Sequence, residues 1–249
     1  MADIQPLLIF DSGVGGFSIL KHLLHKSFPI VYFADQKFFP YGDKDVEWVR
    51  HRLSTLSKEF SRFDPKAVVL ACNTGTVSAI DDIRKLLSCP VFGVEPVTKM
   101  LSKYSLPVVW ATKVTSESIK AKMLRESHAK QVQYYTPSGL ANAIEDMDEV
   151  LIDNILKQAK QELGNVSAIG LSCTHYPLIE SKIRQTFPKS VVLDPSIYVV
   201  RHILNTLNLS ASQRVAHNST IQYHTTGTML KLDNQIKHYM YEHRTVPQK

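Results

Sequence analysis

The sequence predicts an α/β protein of two similar halves, each built on a mostly parallel sheet, with an active-site cleft between them. Three observations carry that prediction. Short apolar runs alternate with segments of helical period along the whole chain, the pattern that βαβ units produce. The run Val69-Leu70-Ala71 stops at Cys72-Asn73-Thr74, and 101 residues later Gly170-Leu171-Ser172 stops at Cys173-Thr174-His175. Two further strand ends repeat in the same order: Leu8-Ile9-Phe10-Asp11-Ser12 returns as Val108-Val109-Trp110-Ala111-Thr112, offset by 100, and Gly93-Val94-Glu95-Pro96 returns as Val192-Leu193-Asp194-Pro195, offset by 99.

Taken in order, the apolar runs place strands at 7–10, 30–33, 67–71, 91–94, 108–111, 132–135, 168–172, 191–193 and 221–224. Each is a short buried-strand pattern, and most are flanked by Gly, Pro, Asp or Ser. Between them, helical spacing predicts helices over 16–25, 45–62, 78–87, 116–124, 148–163, 176–186, 197–207 and 229–243. In open α/β sheets, ligands sit beyond the carboxyl ends of the strands. Two such halves facing each other would set Cys72 across a cleft from Cys173.

Composition narrows the class. The 249 residues are 44% hydrophobic and 21% charged, with a net charge of +6, as in an ordinary globular protein. No apolar run reaches the ~18 residues of a membrane span, and the amino terminus lacks a secretory signal pattern. Basic residues are interleaved with acids, even in the tail holding Lys231, Arg244 and Lys249 beside Asp233 and Glu242, so neither a nucleic-acid nor a membrane partner is expected. The three cysteines form no CxxC motif, which points to a reducing, cytoplasmic setting.

The loop Asp11-Ser12-Gly13-Val14-Gly15-Gly16 offers free N–H groups at a helix start. No Gly-Lys-Ser/Thr follows, and Ser18 stands where a dinucleotide fingerprint needs glycine, so a small carboxylate suits it better than a nucleotide. Tyr41, in the turn Pro40-Tyr41-Gly42, reads equally as a core aromatic or a loop donor. Asn73 and Thr74 read as helix caps or as ligand contacts. His175 reads as a buried imidazole or as a proton-exchange partner of the thiol beside it. Cys89 has no counterpart in the other half and reads as structural.

The ordered set of Asp11-Ser12-Gly13, Pro40-Tyr41-Gly42, Ala71-Cys72-Asn73-Thr74, Ala111-Thr112-x-x-Thr115, the stretch Leu140–Glu145, Cys173-Thr174-His175-Tyr176-Pro177-Leu178 and His224-Thr225-Thr226-Gly227 resembles glutamate racemase, of the aspartate/glutamate racemase family. The resemblance implies two α/β domains, 1–96 with 209–249 and 97–208, and a chemistry needing no cofactor and no metal. It implies that Cys72 and Cys173 are the acid/base pair, assisted by Asp11, His175 and Glu145. It also implies that Asp11, Ser12, Tyr41, Gly42, Asn73, Thr74, Thr174 and His175 contact glutamate. A homodimer and a role in supplying D-glutamate for peptidoglycan follow as further expectations. Asp45, Gly75 and Ser172 depart from the family's usual serine, alanine and glycine.

Two opposed thiols suit inversion at an α-carbon, since a proton must leave one face and another return to the opposite one. One thiol must then be ionised. An ordinary cysteine, with pKa about 8.5, is only ~3% thiolate at pH 7. A helix N-terminus or a nearby cation could lower it. A racemase for aspartate or another amino acid, a cysteine-nucleophile amidase using Cys173 with His175, and a bilobal anion-binding protein are the alternatives.

Overall fold

The computed structural model describes residues 5–128, 130–209 and 220–241. The first half runs β1 (Leu7–Asp11), α1 (Phe17–Leu20), β2 (Ile30–Ala34), α2 (Val46–Ser61), β3 (Ala67–Leu70), α3 (Asn73–Leu86) and β4 (Val91–Gly93). The second runs β5 (Pro107–Ala111), α4 (Lys113–Glu117), α5 (Ile119–His128), β6 (Gln133–Tyr135), α6 (Leu140–Glu145), α7 (Glu149–Leu163), β7 (Ala168–Ser172), α8 (Glu180–Thr186), β8 (Val191–Leu193) and α9 (Ser196–Thr206). The chain then adds β9 (Ile221–Thr225) and α10 (Met229–Ile236).

The repeat in the sequence is a repeat in topology. One sheet has the order β4-β3-β1-β2-β9 and the other β6-β5-β7-β8, with every pairing parallel. Reversed, the second order reads β8-β7-β5-β6, which matches β4-β3-β1-β2 strand for strand. The late strand β9 pairs with β2, Ile30 opposite Ile221 and Ala34 opposite Thr225. The carboxyl-terminal segment therefore completes the first sheet.

Strand periodicity divides the core. In β1, Leu7 and Ile9 join a cluster that runs between the two halves and includes Trp110, Leu171, Phe187 and Leu232. Leu8 and Phe10 face the other way, onto Val49, Leu53 and Phe60 of α2. Period-2 alternation with both faces buried is what a doubly covered parallel sheet requires. Val97, Leu101, Val109 and Ala111 pack the outer face of the second sheet.

All nine expected strands form, each within a residue or so of its expected ends. The helices differ more. The first, expected over 16–25, is only α1, because the chain continues as tighter turns with His22 N–H on Ile19 O and Leu23 N–H on Leu20 O. The helix expected from 78 starts at Asn73, capped by Cys72, whose Sγ accepts the Gly75 N–H at 3.4 Å. The one expected over 116–124 is two helices. Thr112 caps the first, and the Ser118 hydroxyl accepts the Ala121 N–H at the break between them. The segment from 176 opens as a 3-10 turn, Tyr176–Ile179, before α8. The last helix gives way to a π turn, Lys237–Tyr241. The rest of the expected helix, and the tail residues Glu242, Arg244 and Lys249, lie outside the described residues.

Candidate active site

The carboxyl ends of β3 and β7 meet at one small cavity, lined by both Cys72 and Cys173. Ser12, Tyr41, Gly42, Asn73, Thr74, Thr174 and His175 share the lining, joined by Phe39, Pro40, Thr112 and Ala141. All three cysteines are free thiols, and Cys89 is half-buried outside the cavity.

On the first wall, Cys72 occupies the N-cap of α3, and its Sγ lies 3.6 Å from the Ser12 hydroxyl. Asn73 is fixed by its Nδ2, which donates to Val94 O at 2.9 Å. The Thr74 hydroxyl meets those of Thr112 at 2.9 Å and Thr115 at 3.3 Å, a polar contact from one half of the molecule to the other. Tyr41 is both of the things its sequence suggested. Its ring is buried, and its hydroxyl donates to Asp35 at 2.6 Å. Arg52 grips the same carboxylate through two hydrogen bonds of 2.8 and 2.7 Å, a bidentate geometry that locks the 41–43 turn against α2.

On the second wall, Thr174 donates to Asp11 Oδ2 at 2.8 Å. His175 Nε2 lies 2.9 Å from Glu145 Oε2, with the ring packed 5.1 Å from that of Phe39. Asp11 and Glu145 stand behind the wall. Asp11 also accepts the Gly13 N–H, and Glu145 accepts the Val14 N–H, each at 2.9 Å. The glycine-rich loop thus spends these two N–H groups on the protein's own carboxylates. Its glycines permit close passage: a Cβ at Gly13 would overlap the Glu145 carboxylate, and one at Gly15 would overlap Thr174 and His175.

Burial and charge set the protonation states. Burial pushes the Cys72 thiol up to about 12, and the Asp11 charge adds to it, while the Gly75 N–H and Ser12 hydroxyl offset only part. The helix start does not lower the Cys72 thiol. A single cap N–H is weaker than full desolvation. At His175 burial opposes the charge, but hydrogen bonds to Cys173 and Glu145 and the charges of Cys173 and Asp11 outweigh it, raising the imidazolium to about 10. Burial raises Asp11, against the pull of His175, Gly13 and Thr174. Glu145 is lowered, since hydrogen bonds and charge from His175, with donors from Val14 and Gln36, exceed its burial cost.

Sequence reasoning missed the supports. Asp35, Arg52, Gln36 and Gln235 carry no motif, and each reaches the site only through the tertiary fold.

Two parallel α/β halves that close a small cavity around two free thiols and a histidine backed by a carboxylate define the class as an enzyme built for proton transfer. The family model described as Asp/Glu/hydantoin racemase matches residues 19–203, and this chain belongs to that family; it is a racemase, an isomerase. The glutamate racemase of Leptospira borgpetersenii serovar Hardjo-bovis is 30% identical over 239 residues, spanning 92% of this chain and 91% of that one. That of Clostridium acetobutylicum is 34% identical over 208 residues, spanning 77% and 80%. Among solved structures, a glutamate racemase isoform from Bacillus anthracis superposes with a TM-score of 0.80 at 25% identity, covering 95% of this chain and 94% of that one.

Proposed function

We propose that this protein interconverts L- and D-glutamate without a cofactor, using Cys72 and Cys173 as bases on opposite faces of the α-carbon. The observation that carries the reading is that both thiols line one cavity from opposite halves of the molecule. Curated relatives named as glutamate racemases support the substrate. The domains would divide as 1–96 with 209–249 and 97–208, and the D-glutamate would serve peptidoglycan synthesis in the cytoplasm.

The geometry suggests how a turnover begins. Cys72 is held as a thiol, the form that returns a proton. Across the cavity, the His175 imidazolium is hydrogen-bonded to Cys173. Cys173 would take the α-proton of L-glutamate, and Cys72 would protonate the carbanion from the other side. Asp11 and Glu145 would hold Thr174 and His175 in place, while Ser12, Tyr41, Gly42, Asn73 and Thr74 shape the first wall. Fixed donors around the substrate carboxylate would stabilise the charge that develops there.

Circular dichroism of either enantiomer incubated with pure protein tests the activity. Cys72→Ser and Cys173→Ser test the mechanism. Serine is a far weaker acid, so each variant loses inversion but keeps the chemistry of its intact side. In deuterium oxide, Cys72→Ser should exchange solvent hydrogen into L-glutamate and Cys173→Ser into D-glutamate. Exchange into the same enantiomer by both variants would refute the two-face reading.

A further inference from the structure

Behind the cavity, the Glu145 carboxylate is held by four donors from separate parts of the chain. Its Oε2 takes Val14 N–H and His175 Nε2. Its Oε1 takes Gln36 Nε2 at 2.6 Å and Gln235 Nε2 at 3.2 Å. Gln235, fully buried on α10, also donates to the Glu145 backbone carbonyl at 2.5 Å and accepts from Gln36 Nε2 at 2.7 Å. Thr225 of β9 closes the set by donating to Gln36 Oε1 at 2.8 Å. Every amide oxygen is used, so neither amide is free to flip.

Packing alone does not account for an amide at position 235. Its neighbours on α10, Leu232 and Ile236, are buried hydrocarbon, and a buried amide is costly wherever its hydrogen bonds go unmade. The two glutamines supply donors without bringing a charge to the carboxylate that faces His175. We infer that Gln235, together with Gln36, is a positioning residue for the reaction: from the carboxyl-terminal segment it fixes the Glu145 carboxylate, and through it the His175 ring at the cavity wall. This rests on the reading of His175 as a partner in proton transfer.

The groups facing His175 are Cys173, Glu145 and Asp11, and those facing Glu145 also include Tyr32 and Tyr239. The Lys231–Asp146 pair lies one residue beyond, on the surface. Gln235→Leu removes a donor from Glu145 and leaves these in place. We expect kcat to fall roughly tenfold to a hundredfold, the scale of one lost hydrogen bond to a charged group. KM should change less than about threefold, because Gln235 does not line the cavity and its loss is not a loss of uniform binding. The His175 imidazolium, followed by nitrogen-15 NMR, should titrate at lower pH than in the parent.

Gln235→Glu keeps the size and replaces a donor with an acid. It should be more damaged than Gln235→Leu at neutral pH and partly recover as the new carboxyl protonates. Gln36→Met, at a half-buried site, reads the same oxygen from the other side. An unchanged His175 titration in the Gln235 and Gln36 variants, or a raised KM with unchanged kcat, overturns the inference. The NMR arm stands apart from the assay: if the parent protein fails to racemise glutamate, the substrate reading falls while the titration still decides the positioning role.

Discussion

At the scale of single residues, Gly13 and Gly15 of the first loop are set by side chains that arrive from the far half of the molecule. Gly15 leaves no space for a methyl group beside Thr174 and His175. Gly15→Ala must push that wall aside, and displacements of about 1 Å at a reacting group can cost ~100-fold in rate. We expect at least a tenfold loss of kcat with the fold retained, read from initial rates and far-ultraviolet circular dichroism together. Cys89→Ala should leave kcat near that of the parent, since Cys89 packs against the outer core cluster and does not line the cavity. A thiol reagent should accordingly modify Cys89 before the two buried cysteines, with activity retained. The departures at 172 and 75 also have local causes. The Ser172 hydroxyl accepts the Val97 N–H at 2.9 Å. At Gly75, a Cβ would come within 3.3 Å of Leu53 Cδ1.

At the scale of elements, α2 illustrates how a side chain caps a helix start. Asp45 accepts the Trp48 N–H at 2.8 Å through Oδ1. Asp45→Ala should cost about 1 kcal/mol, and Asp45→Ser should recover most of it. Urea midpoints measure both, with kcat expected to follow the parent. Strands were legible in the sequence because a run such as Val108-Val109-Trp110-Ala111 has few alternatives once turn residues bound it. Helix starts were not, because their caps are unusual. A cysteine opens α3, and Asn73-Thr74-Gly75-Thr76 are weak helix formers that read as loop. The cysteine motifs and His175 were visible as short patterns. Glu145 was visible only by resemblance, and its partners Val14 and Gln235 lie 131 and 90 positions away. Nothing local announces such pairs.

At the scale of the whole molecule, the buried imidazolium links folding to pH. His175 is raised from 6.5 to about 10 because its hydrogen bonds and neighbouring charges outweigh burial. The folded state therefore binds this proton more tightly than the unfolded chain. Its stabilisation is complete below about pH 6.5 and is lost as the pH rises through about 10. Cys72 acts in the same direction, but only from 9.0 upward toward about 12. Between pH 6.5 and 9 the decline should belong chiefly to His175, and His175→Gln should flatten it in chemical denaturation. A slope unchanged by that substitution would mean that the ring is neutral in the folded protein.

The matched strand orders have a consequence for the energetics of turnover. A racemase's substrate and product are mirror images, so in water they have equal free energies and an equilibrium constant of unity. On the proposed two-face reading, near-equivalent halves meet each enantiomer with similar machinery, yet His175 and Glu145 stand on one side only. That bias cannot favour either direction at low substrate, where the two second-order rate constants must be equal. It is confined to how each direction divides between saturation and maximal rate, and thus to which enantiomer the resting protein is poised to meet.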